Sequence, residues 1–273
     1  MDLTIVALYT ISDDLLISIG HQEHPQAKMS DAEVMTTALV AARYFGGNQQ
    51  TACAVLKTLG YIPNMLGHSR FNRRLHRIPE LFQLLFESLA EGAKAKNPNN
   101  VYIIDTFPVA VCDNIRISRS RIYQGETWRG KIASKHRYFY GLKAHLMVTE
   151  AGEIVEVFFT PGRFSDVRGL RCYRFDLPEG STIYADKAYC DYGVEDALQA
   201  AGILLKPVRK KNSKRQYPPW EVYLQQATRK RVEVSISLIE QLLPKSIHAV
   251  SAQGFELKVL LFIIATSIKQ LFE

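Results

Sequence analysis

The chain of 273 residues has little cysteine, and the cysteines it has are widely spaced. There are four, none in a Cys-x-x-Cys pair: Cys53, Cys112, Cys172 and Cys190. This spacing excludes a zinc ribbon and a dense disulfide framework, so we expect reduced, mostly buried thiols in a cytoplasmic protein. His21 and His24 are three residues apart, but no other ligands gather near them in the sequence. We therefore expect no metal site there.

The sequence also lacks a long hydrophobic run. No basic segment precedes an apolar stretch at the start, and Asp13 and Asp14 interrupt the apolar pattern, so a secretory signal is not predicted. The most apolar segment, Val259–Ala265, is too short to span a bilayer and lies between Lys258 and Lys269. We expect a buried helix at this segment and no membrane partner.

Acidic residues are scarce in two segments of the second half. Residues 115–145 hold eight Lys or Arg against Glu126 alone, and residues 206–231 hold nine against Glu221 alone. The whole formal net charge of +7 lies in residues 101–273, because residues 1–100 hold equal numbers of cations and anions. This excess indicates a polyanionic partner and favours contacts to nucleic-acid phosphates over merely solvated loops.

The first hundred residues follow helical spacing. The run from Ser30 to Glu33 reads Ser-Asp-Ala-Glu, a capping box, and it predicts a helix that ends at Gly46-Gly47. Further helices are predicted over residues 49–59, from about residue 69, and over residues 80–95. Residues 97–100 are Asn-Pro-Asn-Asn, which is typical of a linker.

The helix near residue 69 carries Arg70, Arg73, Arg74 and Arg77. One interpretation of this cluster is a solvated helix face. The other is a helix that lies against DNA within a helix-turn-helix-like bundle. The sequence leaves both interpretations open and identifies no base contacts.

From Val101 the hydrophobic period becomes that of strands. We predict strands over residues 101–112, 138–149, 154–161, 182–185 and 203–208, and helices over residues 166–175, 192–201, about 219–243 and from 253. A three-stranded meander followed by alternating helices and strands predicts a mixed sheet in an α/β layer fold.

Two aspartates lie in these apolar strands. Asp105 follows Ile103-Ile104, and Asp186 follows Tyr184-Ala185. A carboxylate in such a run must be neutralised, hydrogen-bonded or placed at a strand end beside a cation. A capping or salt-bridged role, for example with Lys187, explains either aspartate alone. Two of them on separate strands, with Glu233 on a downstream helix, indicate a metal site.

The chemistry of this acidic triple suits phosphodiester substrates. Mg²⁺ prefers hard oxygen ligands and combines few carboxylates with substrate phosphates. Two such ions can activate an attacking oxygen and stabilise the leaving one. The hypothesis is that Asp105 bridges two Mg²⁺ ions, with Mn²⁺ as a possible substitute. Asp186 and Glu233 would each complete one ion's ligand shell.

Glu233 has rivals on the same helical stretch, Glu221 and Glu240. We prefer Glu233 because Arg229 precedes it by four residues, which places both on one helix face beside further cations. A surface ion pair of little energetic weight is the alternative interpretation of this spacing.

At these residues the chain resembles the DDE transposases of bacterial insertion sequences, most closely insertion-sequence family 982. The resemblance covers nearly the whole chain and rests on six strings: Ser30–Glu33, Phe45–Asn48, Ser69–His76, Ile104–Val109, Tyr140–His145 and Ala185–Tyr189. The related signature Tyr-x2-Arg-x3-Glu-x6-Lys is matched at Arg229 and Glu233. The chain departs from it at Gln226, where the family has Tyr, and at Glu240, where it has Lys.

The resemblance implies a ribonuclease-H-like mixed-sheet catalytic core over residues 101–273 and an all-helical DNA-binding region over residues 1–97. It implies two Mg²⁺ or Mn²⁺ ions, double-stranded DNA partners (terminal inverted repeats and target DNA), cleavage at element ends and transfer of a 3′-OH into target DNA. A homodimer on DNA and a bacterial, nucleoid-associated location are also implied. Our candidate DNA contacts are Arg70, Arg73, Arg74, Arg129, Lys131, Lys187, Lys210, Lys211, Arg229 and Arg231.

Two alternatives remain at this point. One is a metal-dependent nuclease on the same fold, which cuts DNA without joining it. The other is a non-catalytic, transposase-derived DNA-binding protein. Retention of all three acidic positions speaks against the second.

Overall fold

Helices fill the N-terminal third of the chain, and strands first occur at Val101. The structure is a computed structural model that describes residues 2–112, 114–132 and 137–272. It divides into two compact units: Met1–Leu89 together with Ile239–Glu273, and Ala90–Leu238. Within the described residues, no helix is both long enough and apolar enough to cross a bilayer.

The first unit is helical, as the sequence predicts. Its helices are α1 (Asp2–Ser18), α2 (Asp31–Tyr44), α3 (Gln49–Thr58), α4 (His68–Leu75), the first part of α5 (Pro79–Ala95) and α9 (Ala252–Phe272). The predicted capping box is confirmed: Ser30 Oγ accepts the Glu33 N–H, and the Glu33 carboxylate accepts the Ser30 N–H. These two bonds fix where α2 begins.

Helix α2 lies at the centre of this unit. Its residues from Val34 to Ala42 are buried, and it packs against α1, α3, α4 and α9. The predicted buried helix at Val259–Ala265 is confirmed as part of α9, where all but Leu260 of these residues are buried. An α-helix that is apolar on all sides needs partners on all sides, and α2 supplies one of them.

The second unit contains a six-stranded mixed sheet. Its strands are β1 (Val101–Cys112), β2 (Arg129–Ile132), β3 (Arg137–Thr149), β4 (Ile154–Pro161), β5 (Thr182–Ala185) and β6 (Leu204–Pro207). The order across the sheet is β2-β3-β1-β5-β6, and β4 also pairs with β3. The β1–β3, β2–β3 and β3–β4 pairs are antiparallel, whereas β1–β5 and β5–β6 are parallel. The predicted meander and mixed sheet are both present.

The sheet is accompanied by the end of α5, by α6 (Asp166–Leu170), by α7 (Tyr192–Ala200) and by most of α8 (Pro219–Leu242). Apolar residues from β1, β5, β6 and α7 form a common core with Leu170 of α6. Burial of these side chains, at roughly 25 cal/mol for each Å² of apolar surface, is the main stabilising term for the sheet.

Two elements differ from the sequence prediction. The helix expected over residues 166–175 ends at Leu170, because the chain beyond it is held by tertiary contacts. The Glu156 carboxylate accepts the Arg174 N–H at 2.8 Å, and Phe175 has a positive φ of 53°. Strand β2 was not predicted.

The compact units do not coincide with the predicted domains. The sequence places a boundary near residues 97–101 and assigns everything after it to one domain. In the structure, residues 239–273 instead belong to the unit that contains residues 1–89. The apolar pattern of α9 predicts burial, but it carries no information about which helix covers it.

Candidate active site and cationic surfaces

The sheet register places Asp105 and Asp186 side by side where β5 ends next to β1. We call this position the acidic edge. Ile104 of β1 pairs in parallel with Ala185 of β5, so the residues that follow them, Asp105 and Asp186, occupy corresponding positions on neighbouring strands. Parallel neighbours run in the same direction, which brings their downstream ends together. Both side chains are partly exposed, so they are open to a substrate.

Arg229 of α8 reaches both carboxylates. Its Nη1 lies 3.4 Å from Asp186 Oδ1, and its Nη2 lies 4.0 Å from Asp105 Oδ2. A planar guanidinium with several N–H donors can bridge two carboxylates in this way. The sequence predicted all three residues as site residues, and the structure brings them together.

The pKa of Asp105 is raised to about 6. Burial is the largest cause, because it disfavours the charged carboxylate. The Thr106 N–H and Arg229 act in the opposite direction, while the charges of Asp186 and Asp166 raise the pKa further. The raised pKa of Asp105 therefore reflects mainly its burial, which the Thr106 N–H and Arg229 only partly offset.

Asp166 is a third carboxylate near Asp105, and the sequence prediction missed it. It begins α6, and its Oδ1 accepts from Lys143 Nζ at 2.9 Å and from Thr106 Oγ1 at 3.3 Å. Lys143 also donates to the Phe164 carbonyl at 2.8 Å. The sequence signal was Ser165, the helix N-cap before Asp166, but capping does not indicate a site.

The structure does not bring Glu233 into contact with the two aspartates. It is exposed on α8, one turn after Arg229, and within the described residues it forms no hydrogen bond or ion pair. Of its rivals, Glu221 is buried and paired with Lys206, and Glu240 belongs to the first unit. The assignment of Glu233 therefore stays a prediction.

The donor set at this edge fits a divalent metal ion. Asp105 and Asp186 offer hard carboxylate oxygens, and they converge on a single cationic group. The pKa of Asp105 is raised mainly by burial and further by repulsion from Asp186. A divalent ion would relieve this repulsion more completely than one guanidinium does.

Predicted DNA contacts of the second unit lie at its surface. Arg129 and Lys131 lie on β2, Lys187 follows Asp186, and Arg231 lies on α8; all four are exposed. Each therefore presents its charge to solvent, but no contact between them and a phosphate is part of the structure.

Lys210 and Lys211 follow β6, and hydrogen bonds hold their backbone in place. The Gln216 side-chain amide donates to their carbonyls at 2.9 and 3.2 Å. The preceding residue, Arg209, forms a buried bidentate pair with Glu195 of α7, with distances of 2.7 and 2.6 Å. The segment is thus fixed while the two lysine side chains remain exposed.

The predicted arginine cluster of the first unit lines a depression of about 330 Å³. Arg70, Arg73, Arg74 and Arg77 contribute to it together with Lys28. Arg74 is not freely available, because its guanidinium lies 2.8 Å from the buried carboxylate of Asp31. The other arginines keep both interpretations of this helix open.

The expectation that no ligands gather near His21 was wrong. His21, Glu23 and Asp31 place ligand atoms within 4.8 Å of one another, and theirs is the one such group among the described residues. His21 Nε2 lies 2.9 Å from Asp31, Glu23 accepts the Asp31 N–H, and Arg74 pairs with the same Asp31. Because these groups satisfy one another beside a cation, we interpret them as a structural network.

Comparison with known proteins agrees with this geometry. The family model described as "Transposase DDE domain" matches residues 95–246, and no curated protein matches the chain. A solved structure, the cryo-EM structure of the piggyBac transposase synaptic complex with hairpin DNA, is similar at 10% identity with a TM-score of 0.52. The match covers 97% of this chain and 72% of that one, so the two share a fold. Because the family model covers more than half of the sequence, this chain belongs to the transposase DDE-domain family.

Proposed function

We propose that this protein is a DNA transposase that cleaves phosphodiester bonds at the ends of an insertion sequence and transfers the 3′-OH into target DNA. The observation that carries the proposal is that Asp105, within β1, and Asp186, directly after β5, lie side by side on adjacent parallel strands and share one arginine. The family of the chain supports it, since a transposase DDE domain implies dependence on a divalent metal.

In the proposed mechanism, Asp105 and Asp186 hold the metal, and Glu233 completes the acidic triple. When bound, two Mg²⁺ or Mn²⁺ ions supply Lewis acidity for an in-line displacement at phosphorus. Arg229 would exchange its carboxylate partners for a non-bridging oxygen of the scissile phosphate, and exposed Lys187 would add a second positive charge. Water is the first nucleophile and a DNA 3′-OH the second.

The finer features of the proposal rest on sequence resemblance. We propose a ribonuclease-H-like core, supported by the antiparallel strands β1, β3 and β4 followed by the parallel strands β5 and β6. We also propose that residues 1–97 bind terminal inverted repeats, that the protein acts as a homodimer on DNA, and that it belongs to insertion-sequence family 982 of bacteria. The similar solved structure is a transposase–DNA complex, which supports DNA as the partner.

The first test is cleavage and strand transfer on a labelled element end with its flanking DNA. With Mg²⁺ or Mn²⁺, we expect nicking at the element boundary and joined products, both absent in EDTA. Asp105→Asn and Asp186→Asn should lower cleavage to the EDTA level while leaving DNA binding intact. Asp176→Asn, an exposed aspartate of the same unit, is the matched control and should remain active.

The same assay separates the alternatives. Cutting without joined products would identify a nuclease, and binding without cutting under either metal would identify a non-catalytic relative. Cleavage retained in either aspartate variant would contradict the site assignment. Glu233→Gln and Asp166→Asn, tested side by side, would establish which of these two acids completes the site.

A further inference from the structure

A cavity of about 610 Å³ lies in the second unit, between β2, the start of β3 and the loop after β4. The residues that matter for its chemistry are Glu126, Arg129, Lys131, Tyr138, Lys143 and Arg163. Arg129 and Lys131 are predicted DNA contacts, but the sequence does not predict a cavity at them. We call it the β2 pocket.

The β2 pocket is strongly cationic. Four of its lining side chains are Lys or Arg, and Glu126 is its single acid. Glu126 lies 3.9 Å from Arg129, an exposed pair of little energetic weight. Among the residues that the structure describes, Lys131 and Arg163 form no ion pair, so their charge is available to an anion.

An aromatic ring stands at the pocket beside these cations. Tyr138 is 47% exposed, and the Arg129 guanidinium lies 5.2 Å from its ring centroid. Exposed aromatic and guanidinium planes are the surfaces on which unpaired bases stack in proteins that bind single strands. A base inside a duplex cannot use them, because its neighbours already cover both of its faces.

The walls of the β2 pocket are fixed by the backbone. The Arg163 N–H donates to the Thr127 carbonyl at 3.0 Å, and the Gly162 N–H donates to the Gly141 carbonyl at 2.9 Å. A Cβ at Gly130 would overlap the ring of Phe139 and the Gly162 carbonyl, so β2 and the loop approach as closely as glycine allows. The pocket is therefore preformed.

Lys143 connects the β2 pocket to the acidic edge. It lines the pocket, and its Nζ lies 2.9 Å from Asp166 Oδ1. That oxygen also accepts from Thr106, the residue after Asp105. A DNA strand whose phosphate sits at Asp105 and Asp186 would thus pass Lys143 as it enters the pocket.

We propose that the β2 pocket binds an unpaired nucleotide of the DNA strand next to the scissile phosphate. The base stacks on Tyr138 and Arg129, and Arg163 and Lys131 bind the adjoining phosphates. This inference rests on the proposed function, because it places DNA at the neighbouring acidic edge. The proposal implies that the two DNA strands separate at the DNA end, and that binding of the unpaired nucleotide in the β2 pocket stabilises the separated state.

The test measures binding without catalysis. The full chain, in EDTA, is titrated into a fluorescein-labelled eight-nucleotide oligo(dT) with one central 2-aminopurine, and into a blunt DNA duplex. In wild type, stacking on Tyr138 should quench the 2-aminopurine fluorescence. We expect Tyr138→Ala to weaken single-strand binding about tenfold or more and to remove this quenching. Duplex affinity should change less than about twofold, since stacking on the ring needs an unpaired base. Tyr138→Phe keeps the ring and should bind like wild type.

Matched variants separate stacking from phosphate contact. Arg163→Ala should make the negative slope of log K against log salt for the single strand shallower by about 0.7, whereas Tyr138→Ala should leave it unchanged. Tyr223→Ala removes another exposed tyrosine of the same unit and should change nothing. Equal losses in Tyr138→Ala and Tyr223→Ala, or parallel losses for single strand and duplex, would overturn the proposal.

Failure of the pocket is distinguishable from failure of the proposed function. If the wild-type protein binds the oligonucleotide through Tyr138 but never cuts DNA, the pocket proposal stands and the transposase proposal is contradicted. If the protein cuts and joins DNA but its Tyr138→Ala variant binds single strands normally, only the pocket proposal is contradicted.

Discussion

Arg229 has two possible partners in the proposed cycle, the carboxylates and a phosphate. In the protein alone it offsets the repulsion between Asp105 and Asp186, with contacts of 4.0 and 3.4 Å. We expect Arg229→Gln to destabilise the metal-free protein by about 1–3 kcal/mol, because no cation then offsets the repulsion between the two carboxylates. Mg²⁺ should raise the thermal midpoint more in this variant than in wild type, because the ion no longer competes with a guanidinium.

The measurement is thermal unfolding in EDTA and in Mg²⁺. Arg171→Gln breaks an exposed pair with Asp191 in the same unit and serves as the control, with little expected change in either condition. A smaller Mg²⁺ effect in Arg229→Gln than in wild type would mean that Arg229 helps to hold the ion-binding geometry.

His145 gives the second unit a defined response to acid. Its ring is fully buried, stacks on Phe158 and lies 2.9 Å from Thr160 Oγ1. Burial lowers its pKa to about 4; Asp166 raises the pKa and Lys143 lowers it, both to a lesser degree. The folded state disfavours the protonated ring. The contribution of neutral His145 to the free energy of unfolding is therefore complete above the unfolded pKa of about 6.5, and it is lost as the pH falls toward 4.

We therefore expect the free energy of unfolding of wild type to fall by roughly 3 kcal/mol more than that of His145→Gln between pH 7.5 and pH 4. Urea titrations followed by tryptophan fluorescence are suitable, because Trp128 and Trp220 both lie in the second unit. The difference between the two proteins cancels the acid response of other groups. Equal pH dependence would show that His145 is protonated without penalty.

At the scale of elements, the sequence predicted strands with strong apolar patterns and missed those without one. β1, β4 and β5 begin and end at the predicted residues. β2 reads Arg-Gly-Lys-Ile, and it becomes a strand only because it pairs with residues 137–140 of β3. Pairing partners of this kind cannot be found from local pattern, since β propensity depends on context.

The candidate site likewise contains residues that the sequence could predict and residues that it could not. Asp105 and Asp186 could be predicted, because a charge inside an apolar strand is anomalous in the sequence itself. The Lys143–Asp166 pair could not be, because it depends on how far β3 and the loop before α6 extend along the sheet. Glu233 lies on a helix, where spacing defines its face but not its distance from β1.

Helix α6 is positioned by the close packing of Gly169 on His145. A Cβ at Gly169 would overlap the imidazole ring, which is buried and cannot move freely. We expect Gly169→Ala to destabilise the second unit by about 1–3 kcal/mol and to displace Asp166 at the start of the helix. The measurement is urea unfolding followed by tryptophan fluorescence.

Gly193→Ala is the matched control for this substitution. Gly193 lies in α7, its added Cβ would meet nothing nearer than 3.4 Å, and its φ is not in the left-handed region. That variant should be as stable as wild type or more stable by up to about 1 kcal/mol, through helix propensity. A neutral Gly169→Ala would mean that α6 is free to shift.

At the scale of the whole molecule, charge and packing follow different divisions of the chain. The net charge lies entirely in residues 101–273, whereas the packing separates residues 239–273 from the sheet unit and joins them to the N-terminal helices. The excess charge is concentrated instead in two sequence segments, residues 115–145 and 206–231. Electrostatic binding of DNA should therefore depend on those segments and not on net charge as such.

The lysines of the segment after β6 allow this dependence of DNA binding on local charge to be measured. The Arg209–Glu195 pair and Gln216 hold the backbone of this segment, from which the exposed side chains of Lys210 and Lys211 extend. We expect Lys210→Ala and Lys211→Ala each to make the negative slope of log K against log salt for duplex DNA shallower by about 0.9, uniformly across sequences. Lys57→Ala removes an exposed lysine of α3 that we assign to no contact, so its slope should equal that of wild type. Equal slopes for all three variants would mean that the segment is solvated and that the duplex is held elsewhere.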